Sequence, residues 1–280
     1  MNARVKAYAK LNLTLSVTGS AGGYHMLDSL VCSVDLYDLI VLKKRKDDKV
    51  IIEMHGQGTE LLSYEQNNAA KAAESYINAF KTRGTDIIIY KNIPVGAGMG
   101  GSSADAAGVL RGMSKLYGAG SEKELKELAD GLGSDTGYML SGGYARLTGR
   151  GEKIERIDSK LKLNFLLLKP HSGVSTAECY KLYDRMPQPL STSQNAIQAL
   201  ISGKRAALGA NLTNALYPSA ATLNPDVKTA YEELSAFSPL GVNMTGSGSA
   251  VYALFENAEF CAWAQSRYRG KFRCIQLKTI

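Results

Sequence analysis

The segment Pro94-Val95-Gly96-Ala97-Gly98-Met99-Gly100-Gly101-Ser102-Ser103-Ala104-Asp105-Ala106-Ala107-Gly108 carries a strand into a helix. Ahead of it, Asp86–Tyr90 is a short β-branched run that Pro94 ends; behind it, apolar spacing of three and four predicts a helix over Ser103–Leu116. Five glycines in the thirteen residues Gly96–Gly108, with two adjacent serines, exceed what a plain turn requires. Glycine lets the backbone turn tightly and brings N–H groups close to a bound group. Ser102 and Ser103 stand where the helix begins, beside amides without intrahelical acceptors. A helix start is positive in partial charge, so the combination describes a phosphate cradle. On this reading a valine at Gly98 bars the phosphate and leaves the fold mostly intact.

Two other phosphate patterns fit poorly. A Walker A loop places a lysine before its Ser/Thr, and none follows here. Gly96-x-Gly98-x-x-Gly101 matches a dinucleotide pattern, but Pro94 interrupts its approach and it lies late in its domain. A nicotinamide-dependent oxidoreductase therefore rests on that glycine spacing alone.

Outward from this segment, strand-like alternation covers residues 3–17, 29–42 and 49–55. Helical patterns cover Asn67–Phe80 and Glu122–Leu132, and Gly142–Leu147 reads as a strand. Beyond Gly149-Arg150-Gly151 the chain restarts with a strand at Leu161–Leu168 and helices near Ser175–Tyr183 and Asp226–Phe237. It closes with a strand at Ala250–Phe255, a helix near Ala258–Tyr268 and a strand at Phe272–Leu277. Pro187, Pro189 and the polar stretch to Gln194 form the loosest segment. Strands crowded early and helices later predict a two-domain α+β protein, residues 1–155 and 156–280.

The formal net charge is +7, but the one dense basic run, Lys43-Lys44-Arg45-Lys46, meets Asp47 and Asp48 at once. That reads as a solvated turn, not a nucleic-acid surface; a mild positive balance suits substrates carrying several phosphates. Cys32, Cys179, Cys261 and Cys274 stand far apart, which is the pattern of small hydrophobes in a reducing compartment. No apolar run is long enough for a bilayer, and the opening residues alternate where a signal peptide would show an apolar block. A cytoplasmic enzyme without membrane or nucleic-acid partners is expected; the oligomeric state is left open.

The Pro94–Gly108 segment resembles the central motif of the GHMP kinases (galactokinase, homoserine kinase, mevalonate kinase and relatives), Pro-x-x-x-Gly-Leu-Gly-Ser-Ser followed by small residues. Lys6-Ala-Tyr-Ala-Lys10-Leu-Asn12-Leu13 is similar to the family's opening motif, and Asn243-Met-Thr-Gly246-Ser247-Gly248-Ser249-Ala250 to its third, in the right order. Gly23-Tyr24-His25, the run Gly142-Gly143 to Gly149-Arg150-Gly151-Glu152, and Val174-Ser175-Thr176 with Tyr180 resemble the branch that phosphorylates a diphosphocytidyl sugar alcohol in the non-mevalonate route to isoprenoids. Departures are the serine pair one place earlier than usual, Asp135-Thr-Gly where Asp-Val-Pro is usual, and Asn214-Ala-Leu-Tyr217 where Asn-x-x-Glu is usual.

The resemblance implies a two-domain fold with its site in the cleft between domains, and ATP as phosphoryl donor. The ATP positions are Asn67, Pro94, Val95, Gly96, Ala97, Gly98, Met99, Gly100, Gly101, Ser102 and Ser103. It implies Asp135 as the base taking the acceptor hydroxyl's proton, and Lys10 as its partner, keeping it ionised. The residues alone allow Asp135 to be a helix cap. It implies Tyr24 and His25 as readers of the cytosine, Tyr180 as a second aromatic face, and Thr176 and Asn12 as polar contacts of a substrate carrying cytidine diphosphate. Magnesium is expected with ATP; no carboxylate cluster in the sequence holds it without the phosphates. Other readings are a kinase for another small alcohol, such as mevalonate or homoserine, and a catalytically silent ligand-binding regulator. Tyr24-His25 and Gly149–Glu152 speak against the first, and retention of Lys10 and Asp135 against the second.

Overall fold

The computed structural model describes residues 2–59 and 67–280. The chain divides into two compact units of interleaved segments: unit 1 is 1–9, 36–95 and 100–142, and unit 2 is 10–35, 96–99 and 143–280. Strands β1 (Asn2–Asn12) and β3 (Tyr24–Lys44) each run through the division, and β2 (Thr14–Ala21) belongs to unit 2. The alternation over residues 3–17 thus divides at Leu13 into two strands.

In unit 1, the second half of β3 pairs antiparallel with β5 (Thr85–Tyr90), and β5 pairs parallel with β4 (Val50–His55). β5 buries Ile87 and Ile89 on one face, as its alternation requires. Helix α1 (Asn68–Phe80) opens on Asn67, whose Oδ1 accepts from Ala69 N at 2.9 Å; its alanines Ala69, Ala70, Ala72 and Ala73 are buried. Helix α2 (Gly101–Tyr117) lies close on β3 because Gly108 has no side chain: a Cβ there would stand 2.5 Å from Ile40 Cδ1. Helix α3 (Glu122–Asp130) begins with a capping box between Ser121 and Glu124, and α4 (Thr136–Ser141) follows a short turn.

In unit 2, the first half of β3 pairs antiparallel with β2 and with β6 (Tyr144–Gly149), which pairs in turn with β7 (Lys153–Arg156). A second, antiparallel sheet is built around β8 (Asn164–Lys169), whose Phe165–Leu168 are fully buried, as befits a central strand. Helices α5 (Thr176–Tyr183), α6 (Gln194–Ile201) and α7 (Arg205–Ala210) follow. Next come β9 (Thr213–Asn214), paired parallel with β2, then α8 (Tyr217–Leu223) and α9 (Pro225–Ser235). Strands β10 (Gly241–Met244), β11 (Val251–Phe255) and β12 (Arg273–Lys278), with α10 (Ala258–Arg267) between the last two, complete a sheet of order β10-β11-β8-β12. Leu166, Leu168, Val227, Leu234, Val251 and Cys261 form part of its core.

The α+β character expected from the sequence holds in both units. The elements that periodicity did not reveal, α6, α7, α8, β7, β9 and β10, are two to eight residues long, too short for a repeat to declare itself. Burial pushes the Cys179 and Cys261 thiols up to about 11 and about 12, so they behave as small apolar groups. Among the described residues, no helix is long and apolar enough to cross a membrane.

Candidate active site

Unit 2 knots three separated stretches of the sequence together. Asn12, 3% exposed at the end of β1, is the centre. Its Oδ1 accepts from Lys10 Nζ at 2.7 Å and from Gly246 N at 3.0 Å, and its Nδ2 donates to Ser29 Oγ at 2.8 Å. Its own N–H donates to Thr245 Oγ1 at 3.1 Å. The short run 96–99 lies against the same group: Ser249 N and Ala250 N donate to Gly96 O and Ala97 O, both at 3.2 Å, and Lys10 N donates to Met99 O at 3.0 Å. Asn214 Nδ2 fixes the turn from the other side, donating to Met244 O at 2.7 Å and Gly246 O at 2.9 Å. Thr176 joins through a hydroxyl–hydroxyl bond to Ser247 at 2.8 Å. Lys10, Asn12, Thr176 and the Gly246–Ser249 turn are therefore brought together, with Asn12's amide engaged by protein groups.

This knot corrects the reading of Gly98. A Cβ on Gly98 would lie 2.1 Å from Thr245 O, and its φ of +75° disfavours a side chain on any account. The backbone itself needs glycine there, so a valine would disrupt the fold and does not isolate an effect on phosphate.

The residues expected to read the substrate divide by strand alternation. Tyr24 and His25 are neighbours on β3, so their side chains leave on opposite faces. His25 stacks on Tyr180 with centroids 4.5 Å apart, and its Nε2 lies 2.6 Å from Asp184 Oδ1. Tyr24, 57% exposed, has the Arg150 guanidinium 4.7 Å above its ring. Tyr180 is thus His25's stacking partner. Asp184 and Arg150 emerge as members of this group that the sequence reading assigned no role; no local spacing marks Asp184, which lies 159 positions from His25.

Unit 1 carries the other residues. Pro94 and Val95 lead into the glycine-rich turn, and α2 starts after Gly100, which is left-handed and offers no side-chain cap. The amides of Gly101, Ser102 and Ser103 therefore begin a seventeen-residue helix with no acidic residue in its first turn, a site suited to an anion. Ser103 Oγ stands 3.7 Å from where a Cβ on Gly133 would be, next to the turn that carries Asp135. Asp135 occupies the N-cap position of α4, yet its side chain makes no capping hydrogen bond. Thr136, one of the departures in that turn, is fully buried, and its Oγ1 has no hydrogen-bond partner among the described residues. Asn67 caps α1, with its Nδ2 3.1 Å from Met54 Sδ.

Residues 67–145 match the family model for the GHMP kinases N terminal domain, and residues 196–261 that for the GHMP kinases C terminal. A 4-diphosphocytidyl-2-C-methyl-D-erythritol kinase of Caldicellulosiruptor saccharolyticus is 37% identical over 98% of this chain and 96% of its own. The chain belongs to the GHMP kinase family. A kinase of the same name from Desulfitobacterium hafniense is 38% identical over 90% of this chain and 87% of its own. Among solved structures, a 4-(cytidine 5'-diphospho)-2C-methyl-D-erythritol kinase superposes with a TM-score of 0.82 at 30% identity, covering 98% of each chain. Homoserine kinase from Cytophaga hutchinsonii shares the fold, with a TM-score of 0.79 at 17% identity, 100% of this chain and 94% of that one. The glycine-rich segment lies within the first matched stretch, and Gly246–Ser249 within the second.

Proposed function

We propose that this GHMP kinase transfers the γ-phosphoryl group of ATP to the 2-hydroxyl of 4-diphosphocytidyl-2-C-methyl-D-erythritol, a step of the non-mevalonate route to isoprenoids. The near-full-length likeness to kinases named for that substrate carries the reading. The division between its two family domains is proposed near residue 155, in the interval between the two matched stretches.

In this mechanism the amides at the start of α2 and the glycine-rich turn receive the nucleotide's phosphates; the free helix start supports that role. Asp135 takes the proton of the acceptor hydroxyl as its oxygen forms the new bond to phosphorus, and the bond to the β-phosphate oxygen breaks to release ADP. That its carboxylate is not spent on capping α4 supports the assignment. Lys10 supplies positive charge, and Asn12 holds its Nζ at 2.7 Å. Tyr24, His25, Tyr180 and Thr176 receive the cytidyl end. Magnesium entering with the nucleotide would be held by phosphate oxygens with the hydroxyls of Ser102 and Ser103, hard oxygen donors at the start of α2. It would neutralise charge on the transferred group.

The test is a purified-protein assay with ATP and the diphosphocytidyl sugar alcohol, following ADP and the phosphorylated product together. ADP release that needs this acceptor, with one phosphomonoester formed per ADP, is expected. Turnover with homoserine or mevalonate in its place, or none with any alcohol, overturns the reading.

A further inference from the structure

Unit 1 buries an ionic cluster that phosphoryl transfer does not use. Lys91 Nζ lies 2.5 Å from Asp38 Oδ2 and 2.5 Å from Asp105 Oδ2, and the three side chains are 4%, 0% and 5% exposed. The two carboxylates reach opposite ends of the glycine-rich segment. Asp38, on β3, accepts Asn92 N at 2.6 Å and Ile93 N at 2.9 Å, immediately before Pro94. Asp105 sits in the second turn of α2, just past Ser103. Beneath the helix start, Lys91 Nζ stands 3.5 Å, and Ile93 Cγ2 3.2 Å, from where a Cβ on Gly101 would be. One ammonium thus ties the chain entering the turn to the helix leaving it.

Stability alone gives a poor account of this arrangement. Well-packed apolar residues commonly serve as well as a buried ion pair, and a second carboxylate on one cation adds a desolvation cost. A cation under a helix N-terminus also opposes the macrodipole. What the cluster offers is register, since one ammonium contacts both Asp38, which holds the amides of residues 92 and 93, and Asp105 in α2. Its net charge is zero when Asp105 holds a proton and negative when it does not. Lys91 and Asp38 are the charged groups acting on that carboxyl, and burial raises its pKa.

We propose that Lys91 is a positioning residue for phosphate binding: with Asp38 and Asp105 it staples both ends of the glycine-rich turn, so that the amides beginning α2 are held in register for a nucleotide's phosphates. The nucleotide part rests on the kinase reading above.

The test is Lys91→Met in the full chain. Amide hydrogen exchange over residues 91–105, measured without nucleotide, should quicken by about 10-fold or more as the staple opens. KM for ATP should rise on the order of 10–100-fold, with KM for the acceptor within about 3-fold. Adding Asp38→Asn should recover part of the loss, because it removes the buried carboxylate that Lys91 no longer neutralises and keeps an oxygen for the amides of Asn92 and Ile93. A folded Lys91→Met protein with unchanged exchange and unchanged KM for ATP overturns the proposal, as does an equal rise in both KM values. Should Lys91→Met not fold, Asp105→Asn decides, since it keeps a balanced Lys91–Asp38 pair. Amide exchange over residues 91–105 should then quicken and KM for ATP rise in the variant, since Asp105 no longer pairs ionically with Lys91; neither changing overturns the proposal. A native protein that consumes no ATP refutes the kinase reading, while the exchange measurement still judges the staple.

Discussion

Asp28 in unit 2 and Asp105 in unit 1 are equally buried, each 3% exposed, yet their carboxyl groups are driven in opposite directions. Burial pushes both up. At Asp28 the hydrogen bonds from Arg146 and Ser193 outweigh it and hold the carboxyl below the usual range. Arg146 Nε and Nη2 donate at 2.9 and 3.0 Å, one to each oxygen, and Ser193 adds its hydroxyl at 2.5 Å and its N–H at 3.2 Å. Asp105 has Lys91 on one oxygen, Asp38 competing for that ammonium, and no hydrogen-bond partner for Oδ1 among the described residues. Depth does not set the charge state of a buried carboxylate; the number of donors reaching each oxygen does. The two sites also differ in purpose. The Asp28 network holds Ser193, at the N-cap position of α6, to β3 and β6 by fully satisfied bonds, whereas the Asp105 cluster leaves a carboxyl poised to gain or lose a proton.

The largest effect is expected at a third aspartate, the one proposed to react. Asp135→Asn keeps size and capping ability but removes the proton acceptor, so kcat should fall by roughly 10²–10⁴-fold while both substrates still bind within a few-fold. Steady-state kinetics decides: near-normal turnover would return Asp135 to a purely structural role beside Asp28 and Asp105. Arg146→Met comes next. Stripping the fork from Asp28 leaves a buried, underpaired charge, and urea unfolding at pH 7 should show a loss of about 3 kcal/mol, with Asp28→Asn in the same chain restoring part of it. No loss would mean that Arg146, 29% exposed, is not what satisfies Asp28.

His25 extends the comparison to the surface, where its partner Asp184 is 57% exposed. That exposed contact should matter little to folding, so His25→Ala is expected to act on binding. KM for the cytidyl substrate should rise by a factor worth about 1–3 kcal/mol, with KM for ATP unchanged. An equal rise in both would detach His25 from base reading. The smallest effect is expected from Asp105→Asn at neutral pH, under about 1 kcal/mol in thermal or urea unfolding, and its value lies in the pH trend. Asp105's folded pKa, up to about 8, exceeds its ordinary 3.8, so its contribution is full below 3.8 and is lost as pH rises through 8. Asp28, held below 3.8, contributes above that value and loses its contribution as pH falls through its folded pKa. The asparagine variant at 105 should flatten stability between pH 4 and 8, and the one at 28 should flatten it only below pH 4; matching profiles would erase the contrast.

Periodicity and turn chemistry in the sequence were enough to find β5, α1, α2, α9 and α10 within a few residues, because side-chain spacing and helix ends are local properties. The glycine-rich segment, with the motifs around Lys10 and Gly246, was enough to reach the family by resemblance, and the matched stretches and relatives bear the family out. The partners of those residues were not legible. Asn12 meets Gly246 across 234 positions, His25 meets Asp184 across 159, and Lys91 meets Asp38 across 53, with no local pattern announcing any of them. Gly98 shows the limit most directly: the sequence marks it as a place where backbone must come close to something, and the tertiary structure supplies Thr245 O. Sequence by itself determined which residues could turn, cap, pair or accept a proton. Tertiary structure alone decided how many donors each buried group received, and that number sets its charge, because desolvation is common to every buried carboxylate and compensation is not.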